Sequence, residues 1–391
     1  MTNLFEESAI RSMVMKNRII KSATSENMAE LNGNPTEETV RFYERLAKGG
    51  VGLIITGLAY VNPDGQVFPR QSGIHNDDTI SAWGNVVQAV HRHGAKIAIQ
   101  LAHSGRQVDP KMFKGRTPIS PSASFNLAYL SFSRSMNTDE IERTVENFGK
   151  SAGRAKEAGF DAVQIHAAHG YLISQFLSPL TNRRKDKWGG DFERRFKFLE
   201  EVYKSVRKAV GEDFPVLCKL NVADFAFGGI NEKESMEIAK KLASLGVDAL
   251  EMSGGTTAES PLDMCKGDAP LDILRKEYSA PLVMCMKVYF ALQRKRTKFR
   301  EAYWLPYVEK LKPMVDIPII LLGGIRRRSH AQQIIEEGRA DFISLARPLI
   351  REPDLANKWR NGEQESATCV SCNRCLLELS VLSKLKCYNR G

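Results

Sequence analysis

No stretch of this sequence is apolar for long enough to cross a bilayer. The longest apolar runs, such as VGLIITGLAYV, fall well short of the roughly 20 residues that a membrane helix needs. There is no low-complexity tract, no collagen-like period and no Pro/Ser-rich linker, so composition does not divide the chain. The opening residues, MTNLFEESAIRSM, carry acids and no apolar centre, unlike a secretory signal. A cytoplasmic protein with no membrane partner is expected. Cysteine is sparse over most of the chain: Cys218, Cys265 and Cys285 stand alone and read as small buried hydrophobes, while the other four of the seven crowd the end. That clustering argues for metal chemistry in a reducing compartment and against a disulfide framework.

What is present is a repeated pattern: an amphipathic helix, a glycine, then a short β-branched run. It occurs as RLAKGGVGLIITG, AVHRHGAKIAIQL, RAKEAGFDAVQIH, KLASLGVDALEMS and IIEEGRADFISLA. Gly50, Gly94, Gly159, Gly246 and Gly338 fall where each helix should stop. The runs that follow are apolar on both faces, as in a parallel sheet covered by helices. With NRIIKSA, FPVLCKL and IPIILL the strands number eight. They are expected at Asn17–Ala23, Val51–Leu58, Lys96–Ala102, Ala162–His166, Val216–Leu220, Ala249–Ser253, Pro318–Leu322 and Phe342–Leu345. The expected architecture is α/β, a (β/α)8 barrel over residues 1–361, with a short cysteine-rich extension over 362–391. A doubly wound open sheet is the alternative, weakened because no G-x-G-x-x-G follows the first strand.

Chemistry in such barrels sits at the C-terminal strand ends. This draws attention to Ser25, Leu58, Gln100 with His103, His166 with His169, Lys219, Gly323–Gly324 and Ala346–Arg347. After the seventh strand, LLGGIRRRSHAQQII offers bare amides at Gly323 and Gly324 for an anion, and Arg347 adds a cation after the eighth. A plain αβ connection would look similar. His166 and His169, three apart and next to Tyr171, could bind a metal or polarise one oxygen. No carboxylate in the motif completes a metal set, so polarising a carbonyl is the better reading. The formal charge of +10 and the pI of about 9.2 fit nucleic acid or phosphorylated ligands. Within Lys287–Arg300 the cations concentrate; that segment is either a solvated helix face or a landing strip for a CoA ester or nicotinamide cofactor.

HAAHGYLISQFLSPLTNRRKDKWGGDFERRFKFLEEV, with NRIIKSATSEN, IQLAHSGRQ and GRADFISLARPLIREP, resembles the Old Yellow Enzyme family of FMN-dependent ene-reductases, from about Asn3 to Asn361. The tail TCVSCNRCLLELSVLSKLKC is similar to the branch with 2,4-dienoyl-CoA reductase and trimethylamine dehydrogenase. The resemblance implies FMN, with NADH or NADPH as reductant. It places Ala23, Thr24 and Ser25 near the flavin C4=O and N5, with Leu58 among the cofactor-binding positions. Gln100 would lie on the pyrimidine edge, Lys219 by N1, and Gly323, Gly324, Ala346 and Arg347 on the phosphate. It makes His166 and His169 donors to a substrate carbonyl, with Tyr171 assisting. Serine at 25 and lysine at 219 depart from the commoner threonine or cysteine and arginine of the family. Cys369, Cys372, Cys375 and the later Cys387 suit a [4Fe-4S] cluster, with zinc or no metal as alternatives, since a chain ending at Gly391 lacks a further electron-accepting domain.

The expected substrate is an α,β-unsaturated carbonyl compound or CoA ester, and the protein is expected to be a homo-oligomer. Oxidation of amines, reduction of RNA bases and simple electron carriage are the other functional readings. No nucleic-acid partner is expected, because the barrel carries no evident binding module.

Overall fold

The computed structural model describes residues 3–110, 117–275, 279–380 and 383–389. Eight parallel strands close a barrel: β1 (Ile19–Lys21), β2 (Leu53–Tyr60), β3 (Lys96–Ala102), β4 (Ala162–Ala167), β5 (Val216–Asn221), β6 (Ala249–Ser253), β7 (Ile319–Leu322) and β8 (Phe342–Leu345). Each pairs with the next, and β8 returns to β1 through Ile343, Ser344 and Leu345. The molecule is therefore a (β/α)8 TIM barrel. Helices at Glu37–Lys48, Asp78–His91, Thr138–Glu157, Phe192–Val210, Glu232–Leu245, Leu305–Leu311, Arg328–Glu336 and Leu355–Asn361 follow the strands in turn.

Local chemistry explains these boundaries. Thr36 and Asn137 each close a capping box, and Asp191 and Asn231 cap their helices through side-chain oxygens. All five glycines expected to stop helices have positive φ, from 64° to 97°. Only glycine takes that conformation freely.

Five of the eight expected strands have shifted bounds: the fourth, fifth and seventh by one residue at one end, the first and second by two residues at both ends. The first strand is Ile19–Lys21, shorter than Asn17–Ala23 at both ends, because Asn17 turns its side chain to cap the Gly50 carbonyl and the Ile19 amide. The second runs on to Tyr60, so Leu58 lies inside it and not at its end, beyond a register shift between Ile55 and Leu58. That irregularity falls at Gly57, where an added Cβ would stand 2.2 Å from Glu26 Oε2 and 2.7 Å from the Thr24 carbonyl.

An antiparallel hairpin, Ser8–Ile10 with Met13–Met15, seals the N-terminal end of the barrel. Its Ile10, Met13 and Met15 pack with the inward Ile20, Leu53, Leu217, Ile320 and Phe342. The larger core lies between strands and helices and includes Ile54, Ile97, Ile165, Leu250 and Ile343. Two elements decorate the opposite end: a three-stranded sheet, Ile119–Ser120, Ser124–Asn126 and Ser131–Ser135, and the helix Ala280–Thr297. Among the described residues no helix is long and apolar enough to cross a membrane.

Candidate active site

Side chains alternate along a strand, so every second residue of β3 to β6 points into the barrel. At the level of Gln100, Gln164, Lys219 and Glu251 these inward residues are polar, and all four are buried. Gln100 Nε2 donates to Gln164 Oε1 at 2.7 Å, and Gln164 Nε2 to Glu251 Oε2 at 2.8 Å. Lys219 Nζ lies 3.2 Å from the same carboxylate and donates to Ser22 Oγ at 2.9 Å. Ser344 supplies a further hydrogen bond to Glu251 at 2.8 Å. Burial alone would push the Glu251 carboxyl up; the Lys219 ammonium and the hydrogen bonds of Ser22, Gln164 and Ser344 hold it below the usual carboxylate range. A fully hydrogen-bonded ion pair thus forms the floor beneath the barrel mouth.

Above that floor stand the two histidines. His166 is on β4; His169 follows in a turn at φ 62°, a left-handed conformation uncommon for residues with a Cβ. Its amide donates to Asn221 Oδ1 at 3.1 Å and its carbonyl accepts from the Thr257 amide at 3.0 Å, so the end of β5 and the loop after β6 hold the strained residue. The two rings lie 5.2 Å apart at 74°, and Tyr171 lies 5.0 Å from His166. His169 Nε2 shares a hydrogen with Ser253 Oγ at 2.7 Å. His166 Nδ1 is buried with no protein partner. Burial first, then for His166 the neighbouring His169, and for both the Lys219 cation, hold the two imidazoles well below the ordinary histidine value, so they are neutral. Burial likewise pushes the Tyr171 phenol up, keeping it protonated. Tyr171 packs with Leu58, Val67 and Ala102, so Leu58 forms an apolar wall of the mouth.

The loop after β1 brings Ala23, Thr24 and Ser25 to the same rim, where the Ser25 hydroxyl is buried without a protein partner. At the far side, Gly323 and Gly324 have φ of 121° and 79°, and a Cβ on either would stand 2.8 Å from a carbon of the Tyr303 ring. Tyr303 also lies beside Arg347, whose charge opposes the rise that burial gives the Tyr303 phenol. The glycine turn and Arg347, beside Ala346, are therefore brought together with Tyr303 between them. Arg347 further donates to the Lys266 carbonyl at 3.1 Å and to Asn373 of the C-terminal segment.

That segment folds back onto the mouth. The Leu385 amide donates to the Glu26 carbonyl at 2.9 Å, and Asn373 Nδ2 to the carbonyls of Cys265 and Asp268. Cys369, Cys372, Cys375 and Cys387 are free thiols lining one narrow cleft of about 20 Å³, together with Arg347 and Arg351. Among the described residues no three His, Cys, Asp or Glu side chains converge on a single-ion site.

The profile of the NADH:flavin oxidoreductase / NADH oxidase family matches residues 3–268 and 284–366. The chain belongs to that family. A member from Thermoanaerobacter brockii named NADH oxidase is 35% identical over 95% of this chain and 53% of its own length. An NADPH dehydrogenase of Bacillus subtilis is 32% identical over 90% of this chain and 93% of its own. The chain thus spans about half of the first relative and nearly all of the second. The solved structure of 2-naphthoyl-CoA reductase with 2-naphthoyl-CoA superposes with a TM-score of 0.86 at 26% identity, over 98% of this chain and 56% of that one. Morphinone reductase in complex with tetrahydroNAD gives 0.73 at 26% identity, over 95% and 94% of the two chains. As a member of this Old Yellow Enzyme-type family, the protein is an FMN-dependent NAD(P)H oxidoreductase. The orphaned Ser25 hydroxyl at the rim and the Lys219 ammonium in the floor beneath it fit such a flavin.

Gln164, Glu251, Ser253 and Tyr303 were not singled out by the sequence. For the first three a signal existed: each is a polar residue in an apolar strand, two positions from another inward residue. Tyr303 had none, since it approaches Gly323 from a loop some twenty residues away.

Proposed function

We propose that this member of the family reduces the activated C=C bond of α,β-unsaturated carbonyl compounds or thioesters. The observation that carries this reading is the pair of neutral imidazoles at the barrel mouth, one with a buried nitrogen that has no protein partner. A neutral imidazole N–H donates to an uncharged carbonyl oxygen and strengthens its hold as negative charge builds there, each such donor lowering the barrier by about 3 kcal/mol. Drawing electrons toward that oxygen leaves the β-carbon electron-poor. Ser253 fixes the His169 ring, and Tyr171, protonated and near His166, delivers the proton to the α-carbon. Burial of the whole group excludes water that would compete for the same donors.

The hydride chemistry would be supplied by FMN when bound, with NAD(P)H as reductant. Ala23, Thr24 and Ser25 would hold its N5 side and Gln100 its pyrimidine edge. Lys219 would balance the charge of the reduced ring, and Gly323, Gly324, Ala346 and Arg347 would hold its phosphate, with Leu58 as an apolar wall. The name of the 2-naphthoyl-CoA reductase neighbour supports a thioester among the substrates.

The same reading assigns a [4Fe-4S] cluster to Cys369, Cys372, Cys375 and Cys387. Its support is that the three closely spaced thiols Cys369, Cys372 and Cys375 and the later Cys387 line one cleft.

The test of the substrate reading is anaerobic reduction by NADPH followed by an activated alkene. Cyclohexenone should reoxidise the enzyme; if no activated alkene does so, the reading falls. Iron near four per chain in anaerobically purified protein would support the cluster, and zinc in its place would overturn it.

A further inference from the structure

The family profile stops at residue 268 and resumes at 284. The unmatched segment carries the short helix Leu271–Leu274 and the start of Ala280–Thr297. A cleft of about 320 Å³ opens between them, lined by Leu271, Arg275, Ala280, Val283, Met284 and Lys287. That volume lies at the low end of the range of roughly 300–1,000 Å³ typical of small-molecule sites. Its floor is apolar. Its two cations, Arg275 and Lys287, are exposed and pair with no acid among the described residues. From Ala280 to Arg300 the chain has Lys287, Arg294, Lys295, Arg296, Lys298 and Arg300 and no Asp or Glu, so the cleft lies in a strongly positive field.

The cleft is tied to the histidines through a short series of contacts. Tyr289, on the same helix as Lys287, donates its hydroxyl to the Glu259 carbonyl at 2.5 Å. The Glu259 carboxylate accepts from Thr256 Oγ1 at 2.8 Å and pairs with the buried Arg106. Thr256 is in turn bridged to His169. The helix that walls the cleft is therefore joined to the His169 turn through Tyr289, Glu259 and Thr256.

We propose that the cleft holds the adenosine diphosphate end of a ligand whose reactive end lies at His166 and His169. Its phosphates would rest on Arg275 and Lys287 and its adenine on Leu271, Val283 and Met284. An apolar floor with unpaired cations on its rim suits a flat aromatic base joined to a polyanion. Two molecules share that chemistry, a CoA thioester and NADPH. The inference rests on the function proposed above and deepens it by naming what recognises the ligand away from the reacting atoms.

The experiment titrates the FMN-loaded enzyme with 3',5'-ADP, the CoA end, and 2',5'-ADP, the NADPH end, by calorimetry. One of the two should bind the unaltered enzyme. The Arg275→Ala/Lys287→Ala variant should bind it roughly tenfold more weakly, with a matching rise in KM for crotonyl-CoA or NADPH respectively. The analogue that binds identifies the source. Failure of both analogues to bind, or equal binding by the variant, overturns the proposal, as does a variant effect seen only on anionic lipid vesicles. Reoxidation of dithionite-reduced, unaltered enzyme by cyclohexenone needs no adenosine ligand. Failure there would count against the histidine reading and is read separately.

Discussion

The lower and upper halves of the barrel interior are made by the same strands and have opposite chemistry. Below lie Ala98, Ala162, Leu217, Ala249 and Phe342, packed dry against the N-terminal hairpin. Two residues further along each strand stand Gln100, Gln164, Lys219, Glu251 and Ser344, all buried and bonded to one another. The step of two keeps the direction and changes only the height. The difference teaches where the molecule places its costs: apolar contact closes the barrel at one end, while the other end accepts buried charge in order to present a cation and donors to the mouth.

The comparison sharpens most under Glu251→Leu, which leaves the Lys219 ammonium buried without a counter-charge. Stability should fall by about 3–5 kcal/mol in urea unfolding, and FMN should be retained less well. Leu217→Ala, one layer lower, should cost about 2–5 kcal/mol by opening a cavity, yet leave FMN affinity and turnover of the folded enzyme unchanged. If it loosened FMN as much as Glu251→Leu, the two layers would not be functionally distinct.

Above both layers, His166→Ala should leave the flavin bound, as judged by its visible absorbance. It should lower kcat for enone reduction about 100-fold, close to 3 kcal/mol. Flavin loss instead would make the histidine a structural residue.

The smallest expected effect is on pH dependence. His166 and His169 titrate well below 6.5 in the fold because burial opposes their charge. Below about pH 6.5 the unfolded chain therefore binds protons that the native protein refuses, and stability falls with pH. Unfolding at pH 7.5 and 5.5 should differ by up to about 2.5 kcal/mol from this pair, and the difference should shrink in the His166→Gln/His169→Gln variant.

Much of this was legible in the chain. Lys96–Ala102, Ala249–Ser253 and Phe342–Leu345 have the expected bounds, because helix-stopping glycines and doubly apolar runs mark local transitions. The Ser8–Met15 hairpin was not, since strands of three residues carry too short a pattern. Gln164 and Glu251 were readable as polar interruptions and were passed over. Tyr303 could not be read, because its contact with the glycine turn depends on the path of a loop.

By itself the sequence determined the barrel, its order of strands and the His166–His169–Tyr171 group, since periodicity and turn chemistry act over a few neighbouring residues. The tertiary structure alone decided that Lys219 meets Glu251, that Tyr303 packs against the glycine turn, and that the C-terminal segment folds back onto Glu26 and Cys265. Those outcomes depend on barrel closure, which brings together residues whose spacing along the chain holds no record of their distance in space.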